Sequence, residues 1–273
     1  MSMATETVPS IEAARQQVRR LEAFVKTLTP ADLERPTPCK GWLVRDLLAH
    51  NTAGAEVISG YLEALIAGRL TEPYNLADQG RINQAGVEKY RNDPDLIGRI
   101  CRESNRTLDL LDQVVQRGLV RTPFNFFAPI TVEQLAGVLA ADVATHEWDY
   151  GQAVGRPRVP DAGILAGALP PLIEDLLPIA FLPEKAGDLV CTYGIKLTDV
   201  PNGEWVVDIN RGQISVKRGP IDRAKVKTIT DAATFLLVTY GRVNPLVQIL
   251  RGRIKTSGNP LLGMKFGSLF QKV

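Results

Sequence analysis

The chain has 273 residues, and its 32 basic and 30 acidic side chains leave a formal net charge of +2, so no global field draws it to nucleic acid or membrane. That length holds one large or two ordinary domains, and two are expected. Cys39, Cys101 and Cys191 are far apart and form no C-x-x-C pair, which argues against a disulfide framework or structural zinc cluster and fits a reducing cytosol.

The stretch Met1 to Pro9 has no basic segment leading into an apolar one, and no apolar run is expected to reach bilayer-spanning length; a cytoplasmic protein is expected. Ser10 is expected to cap a first helix whose apolar positions Ile11, Ala14, Val18, Leu21, Val25 and Leu28 recur at three and four, with Thr29-Pro30 ending it. A turn-rich connection from Arg35 to Gly41 leads into a second helix, about Trp42 to Ala67, with Gly68 as its stop. Thr71 to Asn92 is polar, with Val87 and Tyr90 suggesting a short helical piece. Asp93-Pro94 reads as the start of a third long helix, and Thr131-Val132-Glu133-Gln134 has the capping-box spacing that opens a fourth. Four helices with modest connections predict an antiparallel bundle.

Gly155 to Pro160 breaks the pattern, and Leu165 to Leu182 is expected to be a proline-interrupted fifth helix. From Gly187 the period alternates. Strands are predicted at Leu189–Leu197, Glu204–Ile209, Gln213–Lys217 and Ala224–Ile229, with hairpin turns at Asn202-Gly203 and Asn210-Arg211-Gly212. Asp231 caps a helix through Tyr240, Arg251–Thr256 is the last predicted strand, and Pro260–Phe270 the last helix. The expectation is an antiparallel sheet with packed helices, an α+β unit. The expected division is 1–160 for the bundle, 161–186 for a bridging helix and 187–273 for the α+β unit.

Only two histidines occur: His50 closes one apolar helical run, and His146 lies late in another helical segment. Asp142 and His146 are four apart, one turn above each other on one face of the fourth helix, and His50 lies on the second. Two histidines and a carboxylate from two helices of a bundle make a metal site with a coordination position left open. The plainer alternative is that each imidazole is a satisfied core or surface residue. Arg45 beside Asp46 reads as a local ion pair. No G-x-G-x-x-G, P-loop or G-x-S-x-G is present, and Lys217-Arg218, Arg251, Arg253 and Lys255 read as a solvated strand face without the interleaved aromatics of a nucleic-acid groove.

Thr37-Pro38-Cys39-Lys40-Gly41-Trp42-Leu43-Val44-Arg45-Asp46-Leu47-Leu48-Ala49-His50, with His146-Glu147-Trp148-Asp149-Tyr150 and Gly155-Arg156-Pro157, resembles the DinB-like N-terminal domain of the mycothiol-dependent maleylpyruvate isomerase family. The resemblance implies a DinB-like four-helix bundle holding a divalent metal, usually zinc, on a histidine matching His50 and on a glutamate and histidine four apart. His146 matches that histidine, whereas Asp142 stands where the family has glutamate. Aspartate is one methylene shorter, so either the helix comes closer or the cation shifts. Asp149 matches an aspartate for which a role behind the imidazole and helix capping are both open. Cys39 matches too and is read as structural.

The second half resembles the sterol-carrier-protein type of lipid-binding domain, through Gly252 to Lys265 together with Thr228-Ile229-Thr230-Asp231-Ala232 and Gly241-Arg242. Such domains bind acyl chains or sterols in an apolar tunnel, which Met264, Phe266, Leu269 and Phe270 would line, unless they are ordinary core. Arg242 resembles an arginine of the isomerases' C-terminal domain; the resemblance implies a catalytic clamp on a carboxylate, the alternative being a solvated helix-end charge.

The expected function is a metal-dependent enzyme that uses a low-molecular-weight thiol, mycothiol or similar, for isomerisation or S-transfer on a small electrophile. The alternative is a non-catalytic lipid or sterol carrier with a metal-stabilised bundle. A stress-linked accessory role is a third, weaker reading. Expected partners are the electrophile, the thiol and a hydrophobic ligand of the second domain, with no nucleic acid and no transmembrane segment.

Overall fold

The computed structural model describes residues 8–75 and 78–271. The chain divides into two compact units, Met1–Val159 and Pro160–Val273.

The first unit is helical. Its long elements are α1 (Pro9–Val25), α3 (Val44–Ile66), α5 (Leu96–Gln116) and α6 (Val132–Ala153), with short α2 (Pro30–Leu33) and a fifth substantial helix, α4 (Gln79–Tyr90). α1 packs on α6, and α3 on α5 and α4. The apolar stripes read from the sequence are the buried ones: Ile11, Val18, Leu21 and Val25 on α1, Ile100, Leu108 and Leu111 on α5, and Leu135, Leu139 and Val143 on α6. A short hairpin of β1 (Phe124–Asn125) and β2 (Pro129–Ile130) leads into α6.

Three local expectations are corrected. Ser10 does not cap α1: Pro9 takes the first helical position, where its missing N–H costs nothing, and the Ser10 hydroxyl donates to the Glu133 carbonyl on α6 at 2.8 Å. Pro30 opens α2 instead of merely ending α1, because Thr29 and Asp32 form a reciprocal capping box. Arg45 pairs with Glu34, while Asp46 is held by Arg91 at 3.1 Å and by the Leu43 N–H at 2.9 Å. In the polar stretch from Thr71 to Asn92, Leu76 and Ala77 lie outside the described residues, and α4 occupies most of the rest.

The second unit has a five-stranded sheet in the order β5-β4-β3-β6-β7, made of β3 (Val190–Leu197), β4 (Glu204–Asn210), β5 (Gln213–Arg218), β6 (Val226–Thr230) and β7 (Lys255–Gly258). The sheet is mixed, not antiparallel as expected: β3 pairs parallel with β6, from Tyr193 opposite Val226 to Leu197 opposite Thr230. After two hairpins the chain crosses back and enters β3's free edge in β3's own direction. The hairpins turn on Asn202 and Arg211 at φ 51° and 47° and on Gly212 at φ 78°.

By length and composition alone Ala162–Ile179 is long and apolar enough to cross a membrane, a test that a buried core helix also passes. It is built as α7 (Ala162–Pro171), a π-helical turn over Leu172–Leu176 and α8 (Leu177–Ile179), followed by α9 (Pro183–Ala186). Prolines 170, 171 and 178 remove amide donors and loosen the helix here. Its Glu174 accepts from Trp205 Nε1 and Arg218 Nε, each at 2.7 Å, so residues 161–186 are grouped with the sheet that follows.

After β6, Asp231 caps α10 (Ala232–Thr239) as expected. Asn244 then caps α11 (Pro245–Leu250), a helix missed in the sequence, so the predicted strand from Arg251 shrinks to β7. α12 (Pro260–Phe266) ends in a 3-10 turn over Gly267–Leu269. Leu269 is fully buried and the Phe266 ring packs at a tilt against Tyr193, 4.6 Å between centroids, whereas Met264 is exposed over 61 % of its surface.

Candidate metal centre

His50 sits in the second turn of α3, whose start is set by the Leu43 N–H bonding to Asp46. The loop before it places Trp42 with its ring centroid 5.0 Å from the imidazole. On α6, the Thr131–Gln134 capping box fixes the start of the helix, and Asp142, His146 and Asp149 follow at four and three, hence on one face. One residue away, buried Glu147 accepts from Gln17 at 2.7 Å, Arg20 at 2.9 Å and Arg158 at 2.6 Å, which ties this part of α6 to α1 and to the loop after α6.

Three of the expected site residues converge. The His50 and His146 rings are 5.2 Å apart, edge to face at 80°. His146 Nε2 is 3.6 Å from Asp142 Oδ1, and Asp142 is the exposed member of the group, at 44 %. On the other side of the ring, Nδ1 lies 3.0 Å from Oδ2 of Asp149, which is fully buried. The same Asp149 oxygen accepts from the Cys39 thiol at 3.4 Å.

Burial by itself lowers the pKa of His146, but the charge of Asp142, the hydrogen bond to Asp149 and the Cys39 side chain outweigh it and raise the group to about 10. The imidazole is thus placed where positive charge is strongly favoured. Tyr150, also fully buried, has its hydroxyl held well above its ordinary value by burial, then by the charges of Cys39, Asp149 and Asp142. Among the described residues that hydroxyl has no hydrogen-bond partner.

Cys39 is the residue that sequence reasoning set aside. Its sulfur, a His146 ring nitrogen and an Asp149 oxygen lie within 4.8 Å of one another, a second set of donors able to hold a metal. The Thr37-Pro38-Cys39 turn lies in the stretch that suggested the family, but the pairing spans 110 positions and no spacing rule reaches it. Arg242 belongs to the second unit, where it follows α10; its backbone N–H bonds the Leu237 carbonyl at 2.7 Å and its guanidinium the Tyr240 carbonyl at 2.9 Å.

Comparisons with known proteins agree with this division. Residues 180–271 match the SCP-2 sterol transfer family. Sterol carrier protein 2 of Gallus gallus is 37% identical over 81 residues and that of Homo sapiens 31% over 80, each match covering 28% of this chain. The matched region spans only 15% of the length of those relatives. Among solved structures, the mycothiol-dependent maleylpyruvate isomerase has a TM-score of 0.59 at 14% identity with 91% of each chain covered, and a histidine-to-alanine mutant of it 0.60 at 13%. At these identities the likeness is one of fold. Residues 14–151, just over half of the chain, match the mycothiol maleylpyruvate isomerase N-terminal domain family, and the chain belongs to that family.

Proposed function

We propose that this protein is a metal-dependent enzyme that joins a low-molecular-weight thiol of the mycothiol kind to a small electrophile, for isomerisation or S-transfer. The observation that carries the reading is the convergence of His50, His146 and Asp142 from two helices, with Asp149 behind His146.

By donor type, His50, His146 and Asp142 suit a divalent ion such as zinc. Two imidazoles and a carboxylate leave a fourth position for a ligand from solution, as catalytic zinc sites do. Asp149, placed to accept from Nδ1–H, would leave Nε2 of His146 for a metal ion. The alternative set of Cys39, His146 and Asp149 uses the other side of the same ring, where Asp149 has no exposed surface.

A bound zinc ion supplies Lewis acidity that makes a thiol acidic at neutral pH. His50 and His146 would hold the ion and Asp142 would offset its charge from the exposed side, with the Trp42 ring beside His50. Arg242 is proposed as the clamp for a carboxylate, since its planar fork suits two carboxylate oxygens. In this scheme the incoming thiol, not a side chain of the protein, is the nucleophile.

The test is the metal content of the purified full-length protein and of His50→Ala, Asp142→Ala and Cys39→Ala. About one zinc per chain, lost in the first two variants and kept in the third, supports the reading. Loss in Cys39→Ala with retention in Asp142→Ala moves the site to the other face of His146.

The match to sterol carrier protein 2 favours a second role for the C-terminal unit, the binding of a lipid or other hydrophobic ligand. Mass spectrometry of organic extracts from freshly purified protein tests it; extracts without lipid, and no uptake of a fluorescent fatty acid, would count against it.

A further inference from the structure

One face of α3 carries His50, Gly54, Val57 and Tyr61, spaced at four, three and four. All four are half-buried. A Cβ built onto Gly54 would meet no atom outside its own helix within 4 Å, so there is open space against the helix one turn beyond His50. The distance from His50 along the helix is ~6 Å to Gly54 and ~16 Å to Tyr61. On α6, half-buried Val138 lies one turn before Asp142 in the same direction away from the histidines.

Aromatic rings close the far end. Phe126, from the turn between β1 and β2, packs edge to face on Tyr61 at 4.9 Å and stacks on Tyr74 at 5.8 Å with 25° between planes. The segment before α4 is fastened to that hairpin: the Tyr74 N–H donates to the Phe126 carbonyl at 2.6 Å and the Thr71 hydroxyl to the Asn125 carbonyl at 2.7 Å. The Tyr61 hydroxyl is spent on the Glu72 carbonyl at 2.8 Å, so its ring is what it presents to a ligand. The Tyr74 hydroxyl is raised by burial, by Tyr61 and by the charge of Asp142, which ties the ring cluster to the carboxylate of the metal centre. The side chains named here are apolar or acidic, so none of them offers a positive charge to an anionic body.

We infer that this face is the berth for the body of the electrophile, and that the substrate class is a molecule with an aromatic ring or flat apolar body, its reacting carbon held at the histidine end. The inference rests on the proposed metal centre for that orientation but not for the berth itself. A ring seated over Gly54 replaces water beside Val57 and Val138 and stacks toward Phe126, gaining apolar burial and aromatic contact together. The dimension from the histidines to the ring cluster suits one or two fused rings with a short side chain.

The experiment measures binding of meta-dinitrobenzene, a flat neutral ring with no leaving group, against maleate as a small dianion, by ligand-observed NMR on full-length protein with and without added zinc. The expected result is that the ring binds and maleate binds more weakly. Phe126→Ala should weaken the ring about tenfold, the loss of one aromatic contact. Gly54→Leu, which keeps a good helix former on α3 and fills the open space, should abolish it, with zinc content unchanged in both variants. A ring that does not bind, binds both variants like the unaltered protein, or is outcompeted by maleate overturns the inference. Zinc bound without a Gly54-sensitive ring site would sink the berth alone, whereas a Gly54-sensitive ring site without zinc would sink the metal reading alone.

Discussion

Oδ2 of Asp149 accepts from the imidazole of His146 at 3.0 Å and from the thiol of Cys39 at 3.4 Å, and the aspartate has no surface exposed to water. One buried carboxylate oxygen therefore sets the orientation of the histidine on which either candidate metal arrangement depends.

Replacing that carboxylate tests its role. In Asp149→Asn the amide oxygen still accepts from Nδ1 but without charge, and zinc affinity is expected to fall by about 10- to 100-fold, as for other partners that orient a liganding histidine. A competition titration with a chromophoric chelator reads this, while an unchanged far-ultraviolet circular dichroism spectrum separates it from misfolding. Affinity equal to that of the unaltered protein would leave Asp149 as a structural residue.

Glu147 is the anchor of the same helix segment. Its carboxylate is 2 % exposed and receives Gln17, Arg20 and Arg158, so Glu147→Ala takes a shared buried partner from two guanidinium groups and a buried amide at once. Since both arginines reach water at 25 % and 35 %, the expected cost is about 3 kcal/mol, the lower end for a broken buried pair. Urea unfolding followed by circular dichroism gives the value, and a loss below about 1 kcal/mol would mean the network behaves as a surface one.

Acid sensitivity has a local source between α3 and α4. The hydrogen bond from Lys89, and after the opposing effect of burial the one from Tyr90, holds the Glu56 carboxyl below its ordinary 4.5. A carboxyl depressed in the folded state stabilises above its unfolded value and loses that contribution as pH falls through the folded one. Melting temperatures of Glu56→Gln are thus expected below those of the unaltered protein at neutral pH, the gap closing as the solution is acidified below the usual carboxylate range. A gap independent of pH would refute the assignment.

In the second unit, Gly258 ends β7 at φ 96°, and a Cβ there would lie 2.0 Å from the Lys225 carbonyl oxygen. Gly258→Ala must either displace the neck of β6 or lose the β6–β7 pairing. The expected destabilisation is about 2 kcal/mol or more, the sum of a strained backbone and a backbone clash. Thermal unfolding measures it. Gly212→Ala, whose added methyl meets only Pro183 at 3.7 Å, is the control for positive φ alone.

The sequence by itself determined the features that depend on neighbours along the chain. The four long helices follow from apolar recurrence at three and four, the start of α6 from the Thr131 capping box, and the hairpin turns from Asn202 and Arg211-Gly212. The same periodicity put Asp142 and His146 on one face, because a helix fixes the geometry of residues four apart whatever surrounds it.

Tertiary structure alone decided the rest. The parallel entry of β6 beside β3 is a choice between free sheet edges that no local pattern encodes, and α11 was hidden because its exposed apolar residues follow no single stripe. Asp149 reaches Cys39 across 110 positions and Glu147 reaches Gln17 across 130. His146 carries its strongly raised pKa because, against the effect of its burial, folding sets it between two carboxylates, one of them anchored behind it. Such long-range contacts are set by which faces of which helices pack together, and the physical cause is burial: once water is excluded, each polar group must find its partner wherever the packing happens to place one.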